Sequence, residues 1–310
     1  MAVVADAPVL TGLRVRPAFR DRLDLPRRVV FLAALSMVGI VFILLGFIAW
    51  QGIQLFVQNG VSLGSVLSAT WSPEDSPVSF GILPFVLATI GVTGVAVLIS
   101  TPLSVGLALF LSEVAPRRAR EIVQPALEIF VGIPSVVWGW LGLTILVPIL
   151  ATNFRWLGFT VGFSWFAGSV VLSIMILPTI TTITYDAFRA VPQELRTGSL
   201  ALGTTRWQMI RHILLPAARA GTLTAIVLGM TRAAGEALAV QMVIGNRPTM
   251  PTSLTQPVTT LTSQITLDMG NTVFGAPDNN VLWTMGLILL LISMLSVILI
   301  RAMNRSGKRA

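Results

Sequence analysis

Six long apolar stretches, at 29–50, 83–111, 123–151, 161–184, 222–244 and 281–300, decide what this chain can become. Each matches or exceeds the roughly 20 residues that carry an α-helix across a bilayer. Without water every backbone N–H and C=O must find a partner inside the chain, which restricts spans of this kind to helices. The expected fold class is an all-α integral membrane protein with six transmembrane helices. Composition agrees: 54% of residues are hydrophobic and 11% charged, against about 25% charged in soluble domains. The stretch at 29–50 outruns the roughly 7–15 residues of a signal-peptide core and ends without a small-x-small cleavage site, so it is expected to stay as the first span.

Charge placement sets the expected orientation. Of 21 basic residues, 18 fall in the N-tail, in the 112–121 and 185–220 loops and in the C-tail, while Arg155 and Arg247 alone occupy the opposite loops. Positive loops face the cytoplasm, so both termini are expected there. The domain plan is then a cytoplasmic tail at 1–28, a six-helix domain at 29–304 and a cytoplasmic tail at 305–310. The 185–220 loop is cytoplasmic, and the 58–82 and 246–280 loops are extracytoplasmic. Trp71, Pro73, Glu74, Asp75 and Pro77 make the 58–82 loop turn-rich, with an aromatic suited to the interface. The Thr/Ser/Gln-rich middle of 246–280 is too polar to span lipid; a surface helix, a re-entrant segment and a solvated loop all fit it. A net charge of +8 follows from topology, and no basic patch with interleaved aromatics points to nucleic acid.

Catalytic groups are scarce. The chain has no cysteine and one histidine, His212, so neither a Cys/His metal site nor a Ser/His pair within the membrane can be assembled. Its one lysine, Lys308, lies near the end, which excludes a phosphate-binding G-x-x-x-x-G-K-[ST] loop. The chain does not bind ATP this way, and the sequence offers no cofactor of its own.

Two polar features stand out from the apolar background. The first is the segment 194–216, too charged for lipid, whose Leu195, Leu200, Leu202, Trp207, Ile210 and Leu214 give a helix an apolar side for docking. The second is Arg232 and Glu236 near the middle of the fifth stretch. Four residues apart, they fall on one helical face where each can neutralise the other. Charges at such depth normally face protein or a water-filled path. Gly221, Ala225, Gly229, Ala233 and Ala237 recur every four residues, a stripe that admits a close helix neighbour. Thr89 and Thr93 in the second span and Ser135 beside Pro134 in the third are further candidates for a polar path. Pro134 is expected to kink the third span, and Glu128 to pair near its cytoplasmic end with Arg117, Arg118 or Arg120.

At 194–216 the chain resembles the inner-membrane permeases of ATP-binding-cassette importers, whose cytoplasmic signature is E-A-A, three residues, G, nine residues, I-x-L-P. Gly203, Ile213, Leu215 and Pro216 match at that spacing, while Thr197, Gly198 and Ser199 depart from E-A-A; Glu194, one turn earlier, is the nearest acidic group. Within these permeases it is most similar to the PstC family of phosphate importers, through W-S-P at 71–73 and the runs at 80–89, 102–113, 127–143 and 232–246. The resemblance implies a type I importer permease fold and a PstA-like sister permease. It also implies a PstB-like ATPase dimer that binds ATP and Mg, and a PstS-like phosphate-binding protein. It assigns ATPase coupling to Glu194, Thr197, Gly198, Ser199, Gly203, Arg206, Trp207, Ile213, Leu215 and Pro216. The translocation path falls to Arg232, Glu236, Thr89, Thr93 and Ser135. A permease for another oxyanion, such as sulfate or molybdate, shares these features, and an ion-coupled secondary carrier shares the buried charges but needs no docking loop.

Overall fold

The computed structural model describes residues 17–73 and 78–306, with side chains from 27 to 298; the expected roles of Glu74, Asp75 and Pro77, most of the N-tail and residues 307–310 lie outside the described residues. The helices are α1 (Pro17–Val57), α2 (Leu63–Val66), α3 (Leu83–Leu109), α4 (Arg117–Gly132), α5 (Ser135–Leu141), α6 (Val147–Asn153), α7 (Trp165–Arg189), α8 (Gln193–Ala201), α9 (Arg206–Met209), α10 (Leu215–Ala234), α11 (Leu238–Ile244), α12 (Leu261–Asp268) and α13 (Pro277–Ser306). A two-residue hairpin, β1 (Trp71–Ser72) with β2 (Ser79–Phe80), is antiparallel with Trp71 opposite Phe80. Six helical runs are long and apolar enough to cross a membrane.

Two compact units divide the chain, residues 1–50 and 51–310. In the first, α1 begins at Pro17, well before the apolar run, and none of residues 27–50 is buried. An apolar helix exposed on every side is what lipid or another subunit covers. In the second unit α3 and α7 pack along their lengths, and α10 joins them. Ala225 and Ala233 of the small-residue stripe are fully buried, while Gly221 faces Ala187 and Gly229 faces Ile180 of α7, too close for any added Cβ. The stripe therefore seats α10 on α7, whereas Ala237 lies beyond the end of α10.

The second, third and fifth spans depart from straight α-helix, each carrying a π-helical turn, at Phe110–Val114, Gly142–Leu146 and Ile210–Leu214. Pro134 does more than kink the third: α4 ends at Gly132 and a new helix starts at Ser135, so the span is 135–153 and not 123–151. Glu128 thus lies on α4, exposed and outside the span. The strongly amphipathic α4 turns Ala119, Val123 and Leu127 inward and Arg117, Glu121 and Glu128 outward. Arg117 pairs with Glu121 at 2.8 Å, the ion pair that sequence placed at Glu128. The fifth span runs as one helix from Arg206 to Ala234 and then breaks.

The polar 246–280 loop is re-entrant. Its backbone is taken up by the bundle: Trp165 N–H donates to the Gln256 carbonyl at 2.9 Å, Phe166 N–H to Leu254 at 2.9 Å, and Val258 N–H to Ile244 at 3.2 Å. Leu261, Thr262, Ser263 and Gln264 of α12 are buried. Thr260 bonds Thr262 and Ser263 at 3.1 and 2.8 Å, as burial of polar groups requires, while Thr259 Oγ1 is buried without a partner. Trp71 sits half-buried in an edge-on arrangement with Phe80 and Phe85, centroids 6.3 and 5.1 Å away, and so packs the end layer of the bundle.

Candidate functional site

Arg232 and Glu236 are neighbours in sequence but not on one helical face. Gly235 caps α10, its N–H reaching the Thr231 carbonyl at 3.2 Å. The next helix, α11, starts at Leu238 after an Ala that has no capping side chain. Glu236 fills that role, its Oε1 accepting the Ala239 N–H at 3.3 Å. Arg232 turns instead to α7, where Nη1 donates to Thr179 Oγ1 at 2.7 Å. Among the described residues the ion pairs are Arg117–Glu121 and Arg196–Glu113, so the expected mutual neutralisation of Arg232 and Glu236 is not made. Both side chains are half-buried.

Glu236 lies against a small cavity of about 10 Å³ whose polar lining is Thr89, Thr93, Thr260 and Thr262. Thr89 Oγ1 donates to the Phe85 carbonyl and accepts the Leu261 N–H at 2.9 Å, while Thr262 Oγ1 donates to the Glu236 carbonyl at 2.9 Å. The re-entrant loop is thereby stapled to the second span and to the break in the fifth. Neither Arg232 nor Ser135 lines this cavity; Ser135 opens α5. That helix packs in parallel on α11, for Gly139 abuts the Ala239 backbone and Gly142 meets Val243. Counting back from this contact at 1.5 Å per residue, the breaks at Pro134 and Glu236 lie within about 3 Å of the same height. Two interrupted helices side by side open backbone groups at one level, which is tolerated only where protein or a polar path meets them.

The second site is the 194–216 segment, where α8 and α9 form a helix-turn-helix. Gly203 takes φ +83°, the left-handed turn after α8, and Thr205 starts α9 with a capping box closed by Gln208. The apolar side of α8 points outward: Leu195 and Leu200 are exposed, Leu202 is 87% and Trp207 61% exposed. Arg206, Glu194, Thr197 and Gly198 share that exposed surface, and Pro216 is exposed too. Ser199 is turned in, bonding Thr204, while Ile213 and Leu215 are half-buried. Ile210 and Leu214, read from sequence as part of the docking side, are buried in the core, because they belong to the helix that becomes the fifth span.

The sequence profile of the family described as binding-protein-dependent transport system inner membrane component matches residues 100–309. The chain belongs to this family. The profile includes both the 194–216 segment and Arg232–Glu236 and leaves out Thr89 and Thr93. The permease is 48% identical over 91% of both chains to "Probable ABC transporter permease protein YqgH" of Bacillus subtilis. It is 34% identical, over 85% of both chains, to the phosphate transport system permease protein PstC of Mesorhizobium japonicum, and 32% identical, over 93%, to PstC of Xylella fastidiosa. In fold it resembles a chain of a bacterial ABC transporter involved in alginate import, with a TM-score of 0.63 at 19% identity over 93% of this chain and 99% of that one. The permease is thus a multi-pass inner-membrane subunit of an ABC importer with the type I fold, distinct from the ATPase that drives it.

Several residues of the permease that shape these sites are not distinguished by sequence. Thr260 and Thr262 sit in a run of similar polar residues, and their role is set by the loop folding inward. Thr179 is one of several threonines on α7, and only the rotation of α10 picks it out. Arg196 reads as one more loop arginine, yet it is buried. Spacing gives little signal for it: Ser199, three residues on, shares its inward face, but the exposed Leu200, four residues on, lies beside it as well.

Proposed function

We propose that this permease forms, with a PstA-like sister subunit, the path of an ATP-driven importer of inorganic phosphate. A PstB-like ATPase dimer docks on the exposed leucines of α8 and on Trp207, and a PstS-like binding protein delivers substrate from outside. Both termini and the α8–α9 segment face the cytoplasm. One observation carries the reading: the helical run that begins in the docking segment at Arg206 continues through a π-helical turn at Ile210–Leu214 to Ala234, so Arg232 stands on the same span that the ATPase touches. Displacement of that span moves the guanidinium with no loop between them.

Phosphate as the substrate is supported by the PstC relatives and by the chemistry of Arg232. A guanidinium whose fork is held by a neutral hydroxyl, and not by a carboxylate, keeps donors available for an oxyanion. Glu236 beside it supplies a negative charge that limits how tightly an anion is retained. In this conformation the pocket at Glu236 has room for about one water, which describes a path closed by Thr262 and its loop.

Arg232→Gln should abolish phosphate uptake into proteoliposomes of the assembled importer while the ATPase still co-purifies; normal uptake would remove Arg232 from the path. Competition of labelled phosphate uptake by excess sulfate or molybdate decides the substrate. Phosphate alone should compete, and equal competition by either other anion would overturn the assignment.

A further inference from the structure

The segment that docks the ATPase is anchored by more than its turn. Arg196 is the inward side chain of α8 and is 9% exposed. One end of its guanidinium donates to the Glu113 carboxylate and the other to the Phe188 carbonyl. Glu113 lies in the π-helical turn Phe110–Val114 that closes the second span, and Phe188 lies in the last turn of α7, the fourth span. A second arginine reaches the same turn, since Arg120 Nη2 of α4 donates to the Ser112 carbonyl at 3.0 Å. π-Turns displace carbonyls from the regular ladder and are frequent at functional sites. Here two cytoplasmic helices hold one such turn from two directions. Leu111, Phe188, Met209, Ile210 and Leu214 pack as a buried layer beneath them.

We propose that Arg196 and Glu113 are a positioning pair that fixes α8 to the second and fourth spans, so that α8, α9 and the ends of three spans move as one block. The inference rests on the reading of α8 as the ATPase-docking element. If α8 pivoted on Gly203, Arg196 would have to leave both partners, exposing the carboxylate and carbonyl that it satisfies within a buried site. Parting a buried, hydrogen-bonded charge pair is among the costlier events a fold can undergo. The fifth span from Arg206 to Ala234, whose π-helical turn at Ile210–Leu214 is buried in the same layer, is the third arm of the same block. A push on α8 is then felt at once by the second, fourth and fifth spans, which include the helices that carry Thr89, Thr179 and Arg232.

The chain has no cysteine, so Arg118→Cys on α4 with Ala201→Cys on α8 places two spin labels uniquely, in an importer whose partners are also cysteine-free. Both positions are exposed. The distance between labels should agree within about 2 Å, the scale of a helix shift, in nucleotide-free and ATP-bound states. A larger change means that α8 swings by itself and overturns the proposal. In reconstituted importer, Glu113→Gln should lower uptake per ATP hydrolysed on the order of tenfold, within the usual range of coupling between sites, with the ATPase still co-purifying. Arg196→Lys keeps a charge for Glu113 but loses the fork, and should fall less. Wild-type uptake per ATP in Glu113→Gln would also overturn the pair. Failure of the ATPase to co-purify with the unsubstituted permease would instead overturn the docking reading, so the two failures are distinct. The label distances are measured with the pair intact and decide the matter even where Glu113→Gln does not assemble.

Discussion

Glu236 shows how much a single glycine changes. Four residues after Arg232, it belongs on the same face of any continuous helix, and the sequence pattern pairs the two. Gly235 ends that helix, and Glu236 then serves the start of α11 by accepting the Ala239 N–H. Glu236→Gln retains a side-chain carbonyl for this cap while removing the charge. Phosphate should then be held longer, and initial-rate measurements should show KM and maximal rate of uptake falling together. Glu236→Ala removes the cap as well, at a cost of about 1 kcal/mol, and should lower the unfolding temperature of the detergent-solubilised permease where the Gln variant does not. Gly139 is the other residue on which the break depends. A Cβ there would lie 2.8 Å from the Ala239 Cα and from Met242 Sδ, so Gly139→Ala must push α5 from α11. The overpacking should cost about 1–3 kcal/mol, read as a lower unfolding temperature, and a variant as stable as wild type would disprove the close contact. The glycines and the two charged residues are legible in sequence; which of them break a helix is not, because Gly229 and Gly235 differ only in what packs against them.

Among the elements, the prolines account for most of what straight-helix reasoning misplaces. Each of the three π-helical turns, Phe110–Val114, Gly142–Leu146 and Ile210–Leu214, is followed after one residue by a proline, at Pro116, Pro148 and Pro216. A proline has no N–H to donate to the carbonyl of the preceding turn, and its ring collides with that carbonyl; widening the turn by a residue lets the helix continue through Pro148 and Pro216, whereas before Pro116 the helix ends at Val114 and Ala115 is extended. Pro134 stands at a different point, between a charged amphipathic segment and an apolar one, and there the chain breaks outright. Apolar length alone fixed the number of spans but set the third one's start too early, because α4 has apolar residues on one side and they resemble a span when read linearly. The 246–280 loop was illegible for the opposite reason: its polar composition hides a burial that only the partners from α3, α7 and α11 make affordable. Gly203 is a case in which sequence spacing and geometry agree. No atom would touch a Cβ placed there, but φ is +83°, so the obstacle to substitution is the backbone, at roughly 1–2 kcal/mol for an L-residue. Gly203→Val should reduce co-purification of the ATPase by disturbing the angle between α8 and α9, whereas Gly203→Asn, which tolerates the left-handed region, should retain it. Equal co-purification of both variants with wild type would show that the turn does not set the docking surface.

At the scale of the whole molecule, the two sites are distinct places joined by helices that leave little slack. On the proposed reading, the exposed leucines of α8 receive the ATPase's push, and the fifth span carries it to the break beside Glu236. There the re-entrant loop is held against the break by Leu261 N–H on Thr89 and by Thr262 on the Glu236 carbonyl, which in the proposed path closes the way. A cavity of about 10 Å³ cannot admit a phosphate ion, so the proposed path requires these contacts to part in some other state of the cycle. Thr93 and Thr262 both line the cavity from elements that must then separate, one on the second span and one on the loop. In this cysteine-free chain, Thr93→Cys with Thr262→Cys can be joined by a short bifunctional thiol reagent. Cross-linked importer should lose phosphate uptake, keep its ATPase subunit bound, and regain uptake when the link is reduced, whereas each single variant treated alike should transport. Unimpaired uptake by the cross-linked pair would mean that the loop does not move with the cycle, and that phosphate passes on another side of Arg232, away from the threonines that close this cavity.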